Sequence, residues 1–344
     1  MDAGAPVARF TGMTAGYESY YLRATAPEGG RGFWLRYTVR VAHGEQPTGS
    51  LWLTWFDATD GPVATKLTVP GPEAADGAAG PRLQIGGATF GDGWAVGAIG
   101  HADHRPEAQW DIAFTGEPRL EHLAQSRLYT APLPRTKPVS LHPFARFTGS
   151  VSIDGRHHDI NNWPGMVGHN WGSQHAERWI WVHGLHFDGA GDDTWIDVVL
   201  GRVKVGPVLA PWVAGGAISI DGVRTPLGGI GRILGTKVAE HPTGARLSLG
   251  GPDGLSVEVD VGAGRERFVG WSYADPNGNT HDVANCSIAD IEIRVSRPEL
   301  PELVLRAGGT AAYELGMREV DHGIAIQPFI DIPRPEVGRP EPLA

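Results

Sequence analysis

The segment GFWLRYTVRV, residues 32–41, alternates large apolar side chains with polar or amphipathic ones. Its odd positions place Phe33, Leu35 and Tyr37 on one face, and its even positions place Trp34 and Arg36 on the other. An alternation of period two is typical of a β-strand, whose successive side chains point to opposite faces of the sheet. The segment therefore predicts a strand with at least one face in a hydrophobic core.

The same period recurs along the chain, whereas a helical period is almost absent. Further examples are LWLTWF (51–56), RWIWVHGLHF (178–187), LSVEVDV (255–261) and IADIEIRV (288–295). Asp154–Gly155 and Asp221–Gly222 separate pairs of alternating runs, which is the strongest short signal for a hairpin. The proline-rich residues 130–143 predict a long extended connection. Together these patterns predict an all-β fold, a sandwich or barrel of short strands.

Charge and composition exclude several classes of partner. The formal net charge is −10 and no block of Lys or Arg occurs, whereas a nucleic-acid-binding surface must neutralise phosphates. The N-terminal MDAGAPVARF lacks the regions of a secretion signal, and the apolar stretch 205–220 is shorter than the roughly 18 to 20 residues of a spanning helix. We expect a cytoplasmic protein with no nucleic-acid partner, no membrane insertion and a neutral small-molecule ligand. The oligomeric state stays open.

Tryptophan and histidine are concentrated around residues 165–199. The side chains that strand alternation aligns there are His169 and Trp171, then Trp179, Trp181 and His183, then Trp195 and Asp197. If these strands are neighbours, their inward faces form a pocket with indole walls and one or two titratable groups. Asp197 is informative in such a setting, because an unpaired buried carboxylate is costly.

Three other positions are candidate ligand contacts. Glu18 lies among tyrosines in GYESYYLRA, residues 16–24, and is either an exposed edge-strand carboxylate or a second pocket acid opposite Asp197. In the second case Arg36 is its expected counter-ion. Asn170, between His169 and Trp171, is included as a predicted substrate contact.

A metal site is a further alternative, because six histidines occur within thirty residues and three can bind a catalytic zinc ion. They are His157, His158, His169, His175, His183 and His186. No H-E-x-x-H or other compact ligand spacing is present, and alternation sends His183 and His186 to opposite faces. We therefore predict no metal ligands and no cofactor, with most of these imidazoles at the surface.

The His-x-Trp-Gly turn, the tryptophan pair after it and the Trp195-x-Asp197 pattern resemble the lipocalin-like (calycin) superfamily of carotenoid 1,2-hydratases, or hydroxyneurosporene synthases, with tocopherol cyclases as more distant relatives. The resemblance implies two β-barrel or sandwich domains in tandem, with an apolar ligand site at their junction. We accordingly expect domains at 1–172 and 173–332. The proline-rich tail 333–344 has too little apolar content to pack.

The resemblance places the essential histidine and tryptophan of this family at His169 and Trp171, and its acid at Asp197. The family has an aromatic hydroxyl two residues before the acid, whereas this chain has Trp195, so a proton relay is lost. The implied activity is cofactor-independent acid–base chemistry on an apolar, isoprenoid-like molecule. Asp197 would protonate a double bond, His169 would be its partner, and indole faces such as Trp171 would stabilise the cation.

We therefore expect an enzyme, either a hydratase (a lyase) or a cyclase (an isomerase). The alternative is a non-catalytic carrier or sensor of an apolar molecule, because a fold alone does not separate the two. A buried acid with a titratable partner favours the enzyme, since a carrier has no use for such a pair.

Overall fold

The computed structural model describes residues 9–74, 83–102, 105–205, 207–318 and 322–329. Nearly all regular structure in these ranges is antiparallel β-sheet. The short 3₁₀ helices in the same ranges are Phe10–Gly12, Ser126–Tyr129, Ile230–Gly235 and Arg265–Arg267. The predicted all-β fold class is confirmed.

Within the described part of the chain, two large sheets follow each other in sequence. The strands of the first are β1 (Gly16–Thr25), β2 (Arg31–Val41), β3 (Thr48–Asp57), β4 (Val63–Pro70), β5 (Glu73–Ala74), β6 (Leu83–Ile85), β7 (Ala88–Phe90), β8 (Trp94–Ile99), β9 (Ala108–Gly116), β10 (Leu120–Glu121), β11 (Thr136–Ile153) and β12 (Arg156–Gly172). Next come β13 (Arg178–Leu185), β14 (Trp195–Arg202), the ribbon of β15 (Lys204–Val205) and β16 (Val208–Leu209), and then β17 (Val213–Ile220), β18 (Val223–Gly228), β19 (Lys237–His241), β20 (Gly244–Gly250), β21 (Ser256–Gly262), β22 (Val269–Ala274), β23 (Thr280–Ser296) and β24 (Leu303–Met317).

In each sheet most neighbouring strands are also close in sequence. The largest departures are the pairing of β1 with β12 and that of β13 with β24. The first sheet has the order β4-β3-β2-β1-β12-β11-β9-β8-β7-β6-β5, with β10 on β11. The second has the order β18-β17-β14-β13-β24-β23-β21-β20-β19, with β22 on β23. Each sheet curls, so that β3 and β4 lie against β6 and β8, and β18 lies against β20.

Both predicted Asp-Gly hairpins are present. Asp154 and Gly155 join β11 to β12 with φ of 50° and 71°, and Asp221 and Gly222 join β17 to β18 with φ of 49° and 77°. Positive φ at both central residues is the geometry of the type I′ turn, which Asp-Gly favours. The expected connection at 130–143 is partly wrong, because β11 already begins at Thr136. Bulges after Ser140 and His142 interrupt its pairing with β12 near Pro143.

The sheet change falls between Gly172 and Arg178. The division into domains at residue 172 stays a prediction, and the predicted tail 333–344 lies outside the described residues. Among those residues there is no helix with the length and apolar character needed to cross a membrane.

Each sheet has a hydrophobic core on its concave face, and the two sheets also pack against each other. One core contains Leu35 and Trp110, and the other contains Val182 and Val259. All ten residues of β1 are buried, because its second face meets the second sheet. One face of β1 and β2 therefore fills the first core. The opposite face, which carries the polar side chains, lies in the contact between the sheets.

Arg23 is the charged side chain at the centre of this contact. Its guanidinium donates to His183 Nδ1 at 2.8 Å and to the carbonyl oxygens of Ser287 at 2.9 Å and Thr310 at 2.5 Å, all in the second sheet. Burial lowers the pKa of Arg23 to about 9, so it remains a cation at neutral pH. One side chain of β1 thus ties β13, β23 and β24 to the first sheet.

Replacing Arg23 with methionine is expected to destabilise the fold by about 3 kcal/mol or more, because three buried acceptors lose their donor. Arg31→Met is the control, since Arg31 is about half exposed and pairs with Glu28 at the surface. Its expected effect is below ~1 kcal/mol. Urea unfolding measures both, and equal midpoints for the two variants would contradict the role given to Arg23.

Candidate functional site

A small cavity lies between the two sheets, beside Arg23. Its aromatic walls are Tyr21, Trp34, Trp179, Trp181 and Tyr273, and its polar lining groups include Arg36, Asn170, His175 and Glu314. Its volume is about 80 Å³, well below the roughly 300–1,000 Å³ of pockets that enclose a drug-sized ligand. The half-buried residues Thr136, Asn170, Ala176, Val199 and Gly201 form the side nearest to solvent. The cavity is therefore aromatic, partly charged and open on one side.

Asp197 is fully buried beside this cavity and is held by three groups. Its Oδ2 contacts Ser140 Oγ at 2.5 Å, and its Oδ1 accepts a hydrogen bond from the Trp181 indole at 3.1 Å. His122 Nε2 lies 2.9 Å from Ser140 Oγ and 3.6 Å from Asp197 Oδ2. His122, Ser140 and Asp197 therefore form a continuous hydrogen-bonded chain between the sheets.

The geometry of this chain requires one proton more than a carboxylate and a neutral imidazole provide. His122 Nδ1 lies 3.2 Å from the carbonyl oxygen of Gly215, which only accepts, so Nδ1 carries a proton. Suppose that His122 is neutral and Asp197 is ionised. Ser140 has one hydroxyl proton, and if it donates that proton to Asp197, no proton lies between Ser140 Oγ and His122 Nε2, whose lone pairs then face each other. An added proton, on His122 Nε2 or on Asp197, resolves the conflict and makes the chain neutral.

A second carboxylate, Glu314, lines the cavity itself. It accepts hydrogen bonds from the indole of Trp179 at 2.8 Å, the amide of Asn285 at 3.0 Å and the hydroxyl of Tyr273 at 3.2 Å. Burial, followed by the neighbouring Glu314 charge, holds the pKa of Tyr273 well above its usual value, so this donor keeps its proton. Glu314 is thus surrounded by three hydrogen-bond donors.

Tyr21 is buried and lines the cavity. Its ring meets the Trp181 ring edge-on at 5.5 Å. Burial first, and then the charges of Asp197 and Glu314, hold the pKa of the Tyr21 hydroxyl well above its usual value. Tyr21 therefore offers a protonated hydroxyl at the cavity wall.

Four of the predicted ligand contacts line the cavity: Arg36, Asn170, Trp179 and Trp181. Arg36 donates to Ser19 Oγ at 2.9 Å and stacks 4.0 Å from the centre of the Tyr273 ring. Asn170 Oδ1 has no hydrogen-bond partner among the described residues, so it is available to a ligand.

His169, Trp171 and Glu18 lie on the other face of the first sheet. His169 Nε2 bonds Glu18 Oε1 at 2.9 Å, and its ring is 4.7 Å from that of Trp171. Burial lowers the pKa of His169, although Glu18 opposes that shift. The expected pairings of His169 with Asp197 and of Arg36 with Glu18 are therefore wrong. The reason is the register, in which His169 pairs with Tyr20 on the core face and Asn170 with Ser19 on the contact face.

Glu18 has a local structural role. Its Oε2 accepts hydrogen bonds from the backbone N–H groups of Arg9 and Phe10, at 2.7 and 3.0 Å, where the first 3₁₀ helix begins. Its Oε1 also accepts from Tyr20 at 3.1 Å. This side chain is fully buried, so neither the exposed carboxylate nor a pocket acid opposite Asp197 describes it.

His183 and Trp195 also fall outside the cavity lining. His183 accepts from Arg23 at Nδ1, and its Nε2 donates to the Pro143 carbonyl at 2.8 Å, so both ring nitrogens are used. Burial, and then the Arg23 charge, lower the pKa of His183 to about 4. Trp195 packs with Phe144, Leu185 and Ala217, and its indole contacts Glu117 at 3.3 Å.

Sequence reasoning missed His122, Ser140, Tyr21 and Glu314. Ser140 and His122 lie in or near the proline-rich segment that predicted a connection. Glu314 lies within GGTAAYELG (308–316), a segment rich in small residues whose alternation is weak. Glu314 pairs with Trp181 across β13 and β24, and only this pairing shows that it shares a face with the predicted tryptophans.

No protein-family model matches the chain. In sequence it is similar to an uncharacterized protein of Mycobacterium tuberculosis, found in strains CDC 1551 / Oshkosh and ATCC 25618 / H37Rv. Each copy is 27% identical over 327 residues, which cover 91% of this chain and 90% of the relative.

In structure the chain is similar to the crystal structure of CghA, with a TM-score of 0.54 and 12% identity over 89% of this chain and 88% of CghA. Kievitone hydratase from Nectria haematococca gives a TM-score of 0.48 and 11% identity over 89% of both chains. The likeness to CghA shows a common fold and agrees with the architecture implied by the resemblance to lipocalin-like hydratases and cyclases. At these identities no activity is transferred.

The buried neutral state of His183 predicts acid-sensitive stability. Between its folded pKa of about 4 and an unfolded value of about 6.5, the unfolded chain binds a proton that the folded chain does not. The free energy of unfolding must therefore fall as pH decreases through that window. His183→Gln keeps an acceptor for Arg23 and a donor for Pro143 but cannot titrate, so we expect a smaller decrease.

Urea unfolding of both proteins at several pH values between about 7 and 4.5 measures this difference. His157→Gln is the matched control because His157 is exposed. The same pH dependence in His183→Gln and wild type would show that another group is responsible.

Proposed function

We propose that this protein carries out acid–base chemistry on a neutral, apolar small molecule at the cavity between the two sheets, using its own side chains. The observation that carries the proposal is the hydrogen-bonded His122–Ser140–Asp197 chain, whose geometry calls for an added proton near an aromatic cavity. Hydration of a carbon–carbon double bond, its reverse, or a cyclisation that begins with the same protonation all use such a proton.

The donor side consists of Asp197 as the proton source and Tyr21 as the group that meets the substrate. Proton addition to an alkene requires an acid that stays protonated near neutral pH. A neutral hydrogen-bonded chain meets this requirement better than an isolated carboxylate, because giving up its proton leaves a buried net charge. The lipocalin-like family has an aromatic hydroxyl at the position of Trp195, and an indole cannot relay a proton in its place. The hydroxyl of Tyr21 would perform that transfer instead.

The acceptor side consists of Glu314 and the aromatic walls. After protonation, the carbocation would lie among the faces of Trp179, Trp181 and Tyr273, which attract cations without acting as nucleophiles. Glu314 would then take the proton from the water or internal hydroxyl that captures the cation. The proton balance closes when it returns from Glu314 to the His122–Ser140–Asp197 chain through solvent.

The size of the cavity restricts how a substrate would bind. A volume of about 80 Å³ holds a short unsaturated segment but not a whole isoprenoid or polyketide-like molecule. We propose that the reacting double bond enters the cavity and that the rest of the molecule extends past Asn170 and Val199. Asn170 Oδ1 and Arg36 would orient a polar group of the substrate at this side.

A carrier or sensor is the second candidate, favoured by the aromatic lining alone. It requires neither a proton on the His122–Ser140–Asp197 chain nor the carboxyl group of Glu314. Removing either acid would leave a carrier's binding intact, whereas an enzyme would lose turnover.

The test measures binding and turnover separately with a panel of isoprenoid alcohols and alkenes. Quenching of indole fluorescence reports binding, and mass analysis detects gain or loss of one water or isomerisation at unchanged mass. For any compound that turns over, Asp197→Asn and Glu314→Gln should each lower turnover by about 10²- to 10⁴-fold, while quenching changes little.

Asp159→Asn is the control, because Asp159 is exposed on β12. Wild-type turnover in both cavity variants would remove the proposed roles of these acids. Quenching without chemical change in any protein would instead support the carrier.

A further inference from the structure

A cluster of two histidines and one aspartate lies at the junction of the two sheets. His175 belongs to the connection between β12 and β13, Asp275 follows β22 directly, and His281 is the second residue of β23. The turn between β22 and β23 brings the last two together, since Asp275 N–H bonds the Asn279 carbonyl at 2.7 Å. All three side chains are more than nine-tenths buried.

The hydrogen bonds within the cluster leave several buried atoms unsatisfied. Asp275 Oδ1 accepts from the backbone N–H of His175 at 3.0 Å and contacts His175 Nδ1 at 2.7 Å. Among the described residues, Asp275 Oδ2 and His175 Nε2 have no hydrogen-bond partner. His281 Nδ1 lies 3.6 Å from Asp275 Oδ2, and the His281 ring also interacts with the Ala176 backbone. Because folded proteins rarely leave buried polar atoms unpaired, the free atoms of Asp275 and His175 point to a further group, water or an ion, within the cluster.

The unsatisfied atoms are of the types that bind transition metals. One donor atom from each of the three residues lies within 4.8 Å of the other two, and Asp275 Oδ2 is 3.6 Å from His281 Nδ1. Imidazole nitrogen and carboxylate oxygen bind Zn²⁺ at about 2.0–2.2 Å, which separates neighbouring ligand atoms by about 3.3 Å in a tetrahedral site. The separations of the three donor atoms, at most 4.8 Å, exceed that spacing by no more than about 1.5 Å.

We propose that His175, Asp275 and His281 bind one divalent transition-metal ion of the zinc class. Three protein ligands leave one tetrahedral position for water. Arg36 and Arg318 act electrostatically on the cluster and oppose a cation, whereas Glu314 favours it. The carboxylate of Asp275 supplies the charge that a purely imidazole site would lack.

The position of the ion indicates what it would do. The ring of His175 stacks on Tyr17 of β1 at 4.0 Å and lines the cavity. An ion bound there would link the connection between the sheets to the β22–β23 turn. Asp197 is hydrogen-bonded to none of the three ligands, so the metal proposal does not rest on the proposed acid–base function and would remain if that function were wrong.

The first experiment treats the purified full-length protein with EDTA, removes the chelator and titrates the protein with Co²⁺ and then Zn²⁺. We expect the visible absorption of low-symmetry Co²⁺ to saturate at one equivalent per chain and to disappear when Zn²⁺ displaces it. Zn²⁺ should also raise the thermal unfolding midpoint. No Co²⁺ absorption together with an unchanged midpoint would overturn the proposal.

Variants locate the site. His281→Asn should abolish both effects, whereas His157→Asn should change neither, because His157 and Asp159 form an exposed pair that represents adventitious surface binding. Undiminished binding in His281→Asn, or its loss in His157→Asn, would refute the assignment.

A measurement on the wild-type protein covers the case in which His281→Asn does not fold. Crystals grown with Zn²⁺ and measured at the zinc absorption edge should show an anomalous peak between His175, Asp275 and His281. Peaks found only elsewhere, or only ordered water among the three residues, would refute the site.

Discussion

The contact between the two sheets is formed by strands that are buried on both faces, and this constraint governs the polar structure of the protein. A strand that faces only one core can send every second residue to water, but β1 cannot, since all of its residues are buried. Its alternate positions therefore carry Arg23 and its neighbours into the interior. Each such group needs a partner, because an unpaired buried charge is far more costly than a buried apolar group.

The partners satisfy these buried groups in different ways. Arg23 bonds to a neutral His183 and to carbonyl oxygens, and Asp197 is linked to His122 through Ser140. The carboxyl groups of Glu314 and Asp197 differ in whether their hydrogen-bond partners can exchange protons. The indole and amide donors around Glu314 hold their protons, whereas the serine and histidine beside Asp197 can exchange theirs. Two acids in such contrasting surroundings suit the separate tasks of giving and taking a proton.

Period-two alternation predicted the fold class because it reports directly on strands, and the Asp-Gly pairs located two hairpins because their φ values demand those residues. Alternation also predicted correctly that Trp181 and Asp197 share a face. It could not decide which face of β12 meets the second sheet, so His169 and Trp171 were placed on the wrong side. Nor could it find Ser140 or Glu314, whose proximity to Asp197 and Trp181 arises from pairing between distant strands and from packing between sheets.

The connection between the sheets links their relative position to the shape of the cavity. His175 stacks on Tyr17 of the first sheet and bonds Asp275 of the second, while Ala176 and Trp179 on either side of Glu177 form part of the cavity lining. Trp179 in turn donates to Glu314. A shift of one sheet against the other would therefore move a wall of the cavity and the indole that holds one of its acids. Because the cavity is smaller than a typical ligand pocket, such a shift would change how much of a molecule can enter, and the contacts that fix His175 oppose it.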